Sequence, residues 1–233
     1  MNFKTRVTFS TLFCIFAMVA LLISCVDIVV SNRHFYNFAY DRFNTAESIG
    51  MSESDLYEAS DTLLDYLQGY REDIKVKVHL QQEEKEVFNV KETLHMVDVK
   101  NLYQSALLIR NIMLVFMGIL FTLLYYDDKK GVKSVLTYTY QRFFVFFALF
   151  LGGLITYAAC DFTTFWTLFH KLLFRNNLWM LDPLESIMIQ MFPEHFFFTM
   201  VVFIALLFVL IALFLWFYSI HDQKNAKNWE LEK

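Results

Sequence analysis

The stretch 168–183 reads LFHKLLFRNNLWMLDP and lies between two long apolar runs of the chain. With its continuation to Glu194, it contains a histidine, an arginine, paired asparagines, a tryptophan and both prolines of the chain. A backbone at membrane depth must find internal hydrogen-bond partners, so an irregular segment is tolerated only where protein or a water-lined cavity surrounds it. We therefore expect this segment to belong to a site near the membrane surface.

The composition is that of a membrane protein. The chain has 233 residues, of which 57% are hydrophobic and 18% aromatic. Four apolar runs are long enough to cross a hydrocarbon core, which takes roughly 20 residues. The predicted transmembrane helices cover about residues 7–30, 107–126, 143–163 and 196–220. An even number of crossings places both termini on one side of the membrane.

Basic residues near the predicted spans indicate which side that is. They are Lys4, Arg6, Lys129, Lys130, Lys133 and Arg142. Because short cytoplasmic segments are enriched in Lys and Arg, both termini are predicted to be cytoplasmic. Residues 31–106 and 164–195 are then extracellular, in a multi-pass protein of the cell membrane.

The segment 31–106 is acidic, and its charge bears on possible partners. It holds eight Lys or Arg against fourteen Asp or Glu, a net charge of about −6. An acidic surface argues against nucleic acid as a partner. Three cysteines, Cys14, Cys25 and Cys160, are too few and too poorly placed for an extracellular disulfide framework.

Local patterns in 31–106 predict a small α+β cap. Ser52 precedes Asp55 by three residues, a capping-box spacing, and apolar residues recur at helical intervals up to Gly69, which predicts a helix over 52–68. Residues 74–80 alternate with period two and 87–90 return after a polar turn at 81–86, which predicts a hairpin. A second helix is expected over 92–102, running into the second span.

The amino terminus permits a second interpretation. The sequence Leu22–Cys25 resembles a bacterial lipobox behind a basic and an apolar region, which would make Cys25 a lipidated first residue after cleavage. The long apolar run before it and its continuation through Val30 favour a transmembrane helix instead. Asp27 is expected at the membrane interface near Arg33.

These patterns together predict an all-α membrane fold with 1–233 as a single membrane domain. Four transmembrane helices carry an α+β extracellular cap, 31–106, between helices 1 and 2. A re-entrant or interfacial segment, 164–195, separates helices 3 and 4.

Two of the six histidines are the candidates for proton transfer, since the unperturbed pKa of histidine is near neutral. His95 precedes Asp98 by three residues, so a helix places imidazole and carboxylate on neighbouring positions. His170 stands among Leu and Phe residues near the membrane surface. The alternative for either is a neutral imidazole that only packs. His79 is predicted to face solvent, and His195 to be interfacial.

Other chemistries find little support in the sequence. The chain has no Gly-rich phosphate loop, Gly-x-Ser-x-Gly elbow, Cys-x-x-Cys pair or His-Glu-x-x-His helix. A metal site built from His79, His95, His170 and His195 is possible, but the spacing does not favour one, so we predict neither metal nor cofactor. Nearly unbroken hydrocarbon in the second and fourth spans argues against transport.

Three motifs resemble a known family. They are 92–100 (ETLHMVDVK), 169–183 (FHKLLFRNNLWMLDP) and 192–197 (FPEHFF). They are similar to the lipoprotein intramolecular transacylase family of Firmicutes, and the resemblance extends over nearly the whole chain. Asn177 departs from the family pattern, where an aspartate is expected, and the spacing to Trp179 is shifted.

The resemblance implies an acyl transfer on the outer face of the membrane. The substrate is a diacylglyceryl-modified lipoprotein, reached from membrane lipid, whose sn-2 acyl chain moves to the α-amino group of its own cysteine to give the lyso form. His95 and His170 are then expected to share the base, donor and acid roles. The supporting residues are Asp98, which orients His95, together with Arg175, Asn176, Trp179, Asp182 and Glu194.

Two other functional classes stay open at this point. A membrane accessory protein without enzymatic activity would tolerate loss of either histidine. A metal-dependent membrane hydrolase would lose its activity when a chelator is added.

Overall fold

A computed structural model describes the backbone of residues 1–80 and 83–231 and the side chains up to Asp222, apart from Gln81 and Gln82. Along the chain, the elements are α1 (Phe3–Val30), α2 (Arg33–Phe43), α3 (Thr45–Ile49), α4 (Glu53–Gln68), β1 (Lys77–Leu80), β2 (Glu83–Glu86), α5 (Val90–Asp127), α6 (Val132–Cys160), α7 (Phe162–Leu173), α8 (Ile187–Met191) and α9 (Glu194–Leu231). The fold is therefore largely helical, with one small sheet between the first two long helices.

Two compact units make up the chain. The span unit consists of residues 1–26, 107–160 and those from 204 onward. The cap unit consists of residues 27–106 and 161–203. The predicted cap and the predicted interfacial segment thus fold into one compact unit, although about 55 residues of the chain separate them.

Four helices in the described part of the chain, α1, α5, α6 and α9, are long and apolar enough to cross a membrane. This confirms the predicted four-helix membrane fold. Helix α5 has 38 residues, which at 1.5 Å per residue gives about 57 Å, against about 30 Å for a hydrocarbon core. The part before Leu107 carries the charged residues of the 92–100 motif, so His95 lies outside the spanning part.

The third predicted helix, 143–163, differs from the structure at both ends. Helix α6 begins at Val132 and stops at Cys160. Asp161 ends it, because its side chain accepts a hydrogen bond from the backbone N–H of Thr164 at 3.0 Å and so caps α7. Residues 162 and 163 therefore belong to the helix of the predicted interfacial segment and not to the span.

The span unit has a small apolar core. Met18, Cys25, Phe208 and Ala212 are buried together in it. Cys25 lies within the unbroken helix α1 and is completely buried. The hydroxyl of Tyr140 donates to the backbone carbonyl of Ala212 at 2.8 Å, which satisfies a polar group among apolar neighbours.

Charged residues pair at the ends of the span unit helices. Arg6 pairs with Asp127 at 3.5 Å and with Asp128 at 3.0 Å, and the amino terminus also pairs with Asp127. Lys133 pairs with Asp222. These contacts join the start of α1 to the end of α5, and α6 to α9.

Helix α2 forms where the sequence showed an aromatic connector. Asn32 caps it by accepting a hydrogen bond from the N–H of His34 at 3.0 Å. Its aromatic side chains Phe35, Tyr36 and Tyr40 are buried and contact Phe196 with ring centroids 5.4 to 5.7 Å apart. Much of the aromatic character of this segment thus serves the core of the cap unit.

Helix α4 confirms the predicted helix over 52–68. Ser52 accepts a hydrogen bond from the N–H of Asp55 at 3.1 Å, as the capping-box spacing predicts. Gly69 ends the helix with φ of 87°, a left-handed conformation in which glycine carries no steric penalty. Apolar side chains on one face, including Leu56 and Leu64, are buried.

The hairpin exists, but the predicted second strand at 87–90 is wrong. Strand β2 is formed by 83–86, where a turn was expected, and it pairs antiparallel with β1, Lys77 opposite Glu86. Residues 87–89 instead lead into α5, which begins at Val90, and the N–H of Val87 donates to the carbonyl of Val76 at 3.0 Å. Gln81 and Gln82 lie outside the described residues.

Asp27 and Arg33 have different partners within the cap unit. The hydroxyl of Tyr103 donates to Asp27, while Arg33 pairs with Asp61 at 3.0 Å and Asp65 at 2.6 Å on α4. The guanidinium thus fastens α2 to α4, because two carboxylates one turn apart offer it a better site than a single one.

Replacing Tyr40 by Phe is expected to destabilise the cap unit. The Tyr40 hydroxyl lies 2.6 Å from the buried Ser60 hydroxyl, which itself donates to the Leu56 carbonyl at 2.9 Å, so Tyr40 is the donor. Loss of this bond costs about 1 kcal/mol, or about 2–4 °C in unfolding temperature. Thermal unfolding of the detergent-solubilised protein measures it. Tyr57→Phe, which removes an exposed bond to Asp41, is the control, and an equal effect of both would contradict the argument.

Candidate active site

Two histidines from distant parts of the sequence meet in the cap unit. His95 lies in the second turn of α5, and His170 lies in the last turn of α7. Their ring centroids are 6.1 Å apart, with an angle of 35° between the ring planes. His95 is 7% exposed, and His170 is half-buried. The structure thus brings together the two histidines that the sequence singles out.

Aromatic side chains enclose the pair. The ring of Phe174 lies 5.2 Å from that of His95 and 5.7 Å from that of His170. The ring centroids of Trp166 and Trp179 lie 4.9 and 5.0 Å from that of His170. Helix α7 ends at Leu173, and the N–H of Phe174 donates to the carbonyl of His170 at 2.8 Å, which turns the chain so that Phe174 packs on both imidazoles.

The tautomer of His170 follows from its hydrogen bond. Its Nδ1 lies 2.8 Å from the backbone carbonyl of Trp166. Because a carbonyl only accepts, Nδ1 carries the proton, and in the neutral ring Nε2 holds the lone pair. Burial lowers the pKa of His170 below its ordinary value, while the bond to Trp166 opposes this shift. His170 is therefore a neutral ring whose Nε2 can accept a proton.

His95 is held neutral more strongly. Burial lowers its pKa to about 4, the proximity of His170 adds to the lowering, and the charge of Asp98 opposes it. Its Nδ1 is buried and has no hydrogen-bond partner among the described residues. An unpaired buried polar atom costs about 1–3 kcal/mol. A bound group that forms a hydrogen bond with Nδ1 of His95 would therefore stabilise the site.

Asp98 and Asn176 connect α5 to the segment after α7. The Asn176 side-chain N–H donates to Asp98 at 2.8 Å, and its oxygen accepts from the N–H of Leu178 at 3.0 Å. Asp98 therefore acts on His95 through its charge, and its hydrogen bond serves to hold Asn176. This placement differs from the direct orienting contact that we expected of Asp98.

Three other predicted site residues lie further out. Arg175 is exposed. Asp182 is exposed and accepts a hydrogen bond from the N–H of Leu184 at 2.9 Å, which shapes the turn before α8. Glu194 accepts from the hydroxyl of Thr163 at 2.6 Å, which joins the starts of α9 and α7. Asp182 and Glu194 therefore support the segment that carries the site.

The remaining histidines have separate surroundings. His79 on β1 is largely exposed, with its side chain 72% accessible and 4.0 Å from Asp55. His195 packs against Phe43, with ring centroids 4.2 Å apart. In the described part of the chain, no three His, Cys, Asp or Glu side chains come together as a metal site requires.

Sequence analysis missed Glu92, which is fully buried one turn before His95. Its carboxylate accepts from the N–H of Asn89 at 2.6 Å, and its own N–H donates to the Asn89 side chain at 3.0 Å, which is a capping box. This pair starts α5 at Val90, two residues before the predicted start. The spacing Asn89-x-x-Glu92 was the signal in the sequence.

The pH dependence of His95 is a direct test of this geometry. We expect its ring to titrate at a pKa of about 4 in the folded protein, against about 6.5 in an unfolded chain. Because the unfolded state binds more protons between these values, the free energy of unfolding should fall as the pH drops from 6.5 to 4. Carbon-13 NMR of labelled histidine, assigned with His95→Gln, measures the pKa. Titration of His95 at 6.5 or above would contradict its burial.

Comparison with known proteins bears on identity. A search of curated protein sequences finds no match. Three solved structures of the membrane integral lipoprotein intramolecular transacylase Lit from Bacillus cereus match the fold. The first has 21% identity and a TM-score of 0.73, covering 96% of this chain and 99% of that chain. A variant with a histidine replaced by alanine has 19% identity and a TM-score of 0.72, covering 96% of each chain.

The third solved structure, in which a histidine is replaced by arginine, has 21% identity and a TM-score of 0.66, covering 96% of this chain and 94% of that chain. At this level of identity, the structures establish the fold alone. The family model for lipoprotein intramolecular transacylase Lit matches residues 11–197, a range that contains His95, His170 and all of the cap unit up to Phe197. The chain therefore belongs to the lipoprotein intramolecular transacylase Lit family and is an integral membrane enzyme.

Proposed function

We propose that the enzyme moves the sn-2 acyl chain of an S-diacylglyceryl-cysteine lipoprotein onto the α-amino group of that same cysteine. The product is the lyso form, with an N-acyl and an S-monoacylglyceryl group. The observation that carries the proposal is the pair of imidazoles, one buried and one half-buried, whose ring centroids lie 6.1 Å apart on two elements that the family match includes. Donor and acceptor are one molecule, so the reaction takes no second substrate.

His170 is the base in this proposal. The α-ammonium group of the substrate has a pKa of about 8, so it loses one proton to solvent near neutral pH, and the free amine enters the reaction. Nε2 of His170 holds the lone pair, because Nδ1 is committed to the carbonyl of Trp166. As the amine attacks the ester carbonyl, the C–N bond forms and the amine proton passes to Nε2. The C–O bond to glycerol then breaks, and the proton goes to the glycerol oxygen.

His95 stabilises the oxyanion in this proposal. Attack on the ester places negative charge on the carbonyl oxygen, which requires a positioned donor. A neutral imidazole always carries one N–H, and the burial of His95 keeps it neutral. Nδ1 of His95 is unpaired. In this proposal it gains its hydrogen bond when the substrate binds.

The diacyl substrate reaches the site from the lipid in this proposal. Large apolar side chains on α7 and in the segment after it are exposed: Leu168, Leu172, Met180 and Leu184. Exposed apolar surface of this kind mixed with Trp is typical of an interfacial segment. The acyl chains can then stay in the hydrocarbon while the glyceryl ester approaches the histidines.

The cap unit is extracellular in this proposal, and both termini are cytoplasmic. The support is the basic charge between α5 and α6, where Lys129 and Lys130 lie in the short connection and Lys133 lies in the first turn of α6. Lipoproteins carry their modified cysteine on the outer side of the membrane, where the acidic cap would meet it.

The acyl state of a reporter lipoprotein tests the reaction. We expect its N-terminal peptide to change from the diacylglyceryl form to the N-acyl, monoacylglyceryl form without a change in total mass when this chain is expressed. His95→Ala and His170→Ala should each lower the rate at least about 100-fold, the usual contribution of an acid–base or oxyanion group. Fragmentation mass spectrometry distinguishes the two isomers.

The control is His79→Ala, which removes an exposed histidine of the same unit whose nearest charged partner is Asp55. Membrane levels of each variant have to match, since an absent protein also gives no product. Full transfer by a folded His95→Ala or His170→Ala protein would overturn the two-histidine mechanism. Loss of wild-type activity in EDTA would instead favour a metal-dependent hydrolase.

Orientation is tested by labelling introduced cysteines in whole cells. In a Cys160→Ala background, we expect a membrane-impermeant maleimide to label His79→Cys in the cap unit and to spare Lys130→Cys in the α5–α6 connection, because both residues are exposed. Permeabilised cells should label both variants equally and serve as the control. Labelling of Lys130→Cys alone would show the opposite topology, with the cap unit on the cytoplasmic side.

A further inference from the structure

Glu92 is a fully buried carboxylate that the acyl transfer itself does not use. It lies one helical turn before His95 on α5. Acidic side chains are almost never fully buried unless paired. Its partners therefore decide what it does.

Its two oxygens have separate tasks. One oxygen accepts from the N–H of Asn89 at 2.6 Å, within the capping box of α5. The other accepts from the hydroxyl of Ser186 and from the N–H of Met188, the latter at 3.1 Å. The capping box needs only the first oxygen. The second oxygen joins α5 to residues more than 90 positions away in sequence.

The remote partners stand at the end of the segment that shapes the active site. Ser186 caps α8, with its hydroxyl accepting from the N–H of Ile189 at 3.2 Å. The chain between α7 and α8, residues 174–186, contains Phe174, which packs on both histidines, and Trp179, which packs on His170. Fixing Ser186 therefore fixes one end of the segment that contributes Phe174 and Trp179 to the aromatic enclosure.

Two further contacts from α5 hold the same segment. Lys91 donates to the backbone carbonyl of Met180, and Asp98 accepts from Asn176 at 2.8 Å. Both contacts are exposed and compete with water. The contact of Glu92 is buried, where hydrogen bonds are stronger and an unmet partner is costly.

We propose that Glu92 is a positioning residue, whose carboxylate clamps the segment 174–186 onto α5 and thereby fixes Phe174 and Trp179 against the His95–His170 pair. The inference rests on the proposed function, since the pair is positioned for that reaction. An amide cannot replace the carboxylate, because both oxygens accept, and the NH₂ group of a glutamine would face a donor on one side.

The test uses the full-length enzyme in lipid nanodiscs with a synthetic diacylglyceryl lipopeptide. For Glu92→Gln, we expect kcat to fall about 10–100-fold, as misplacement by about 1 Å does, with KM changed less than about twofold. Glu185→Gln removes the same charge from an exposed position in the same segment, and should leave both constants unchanged. Ser186→Ala keeps the bond from Met188 and should give a smaller loss, several-fold in kcat.

The pKa of His95 separates positioning from a merely structural role. Unfolding of a fraction of the enzyme adds the signal of unfolded chain without moving the pKa of the folded enzyme. Loosening of Phe174 admits water to His95, whose surrounding ionisable groups are His170 on α7 and Asp98 on its own helix. We therefore expect carbon-13 NMR of labelled histidine to show the pKa of His95 moved from about 4 towards 6.5 in Glu92→Gln and unmoved in Glu185→Gln.

Each outcome decides one question. Absence of lyso product from the wild-type enzyme would refute the proposed reaction and not the contact. A folded Glu92→Gln enzyme with wild-type kcat and a wild-type pKa of His95 would overturn the positioning role. If Glu92→Gln fails to insert or fold, Ser186→Ala decides, and an unchanged kcat and an unchanged pKa of His95 there would equally overturn it.

Discussion

Shielding of two imidazoles from water is the constraint on which the rest of the cap unit depends. A charged ring is disfavoured in apolar surroundings, so burial favours neutral His95 and His170. In the proposed mechanism, this is the state in which one ring accepts a proton and the other donates a hydrogen bond. Such burial has a cost, visible in the unpaired Nδ1 of His95. Packing of Phe174 against both rings and of Trp179 against His170 offsets it.

The aromatic enclosure comes from an irregular segment, and irregular backbone near a membrane needs fixed partners. Helix α5 supplies them from its first three turns, through Lys91, Glu92 and Asp98. The same helix carries His95. One helix therefore bears His95 and three of the contacts that fix the enclosure, so that the site does not depend on the order of several independent loops.

Local signals in the sequence predicted local structure well. The four apolar runs, the Ser52 cap and the continuous helix through 92–126 were all visible, because periodicity and capping act over a few residues. The sequence misled where two signals competed: the acidic 83–86 looks like a turn yet forms β2, and Asp161 ends a helix that hydropathy alone would extend. Pairing of His95 with His170 was not derivable from spacing, and only the family resemblance suggested it.

Glu92 shows why site support is hard to find in a sequence. Its capping box with Asn89 is local, but the partners that matter for the site lie more than 90 residues away. In the proposed reaction the substrate brings its own amine, so the mechanism uses no covalent nucleophile of the enzyme. Intramolecular attack supplies a large effective molarity. In that proposal two neutral histidines in a fixed geometry suffice, and fixing the geometry becomes the main task of the cap unit.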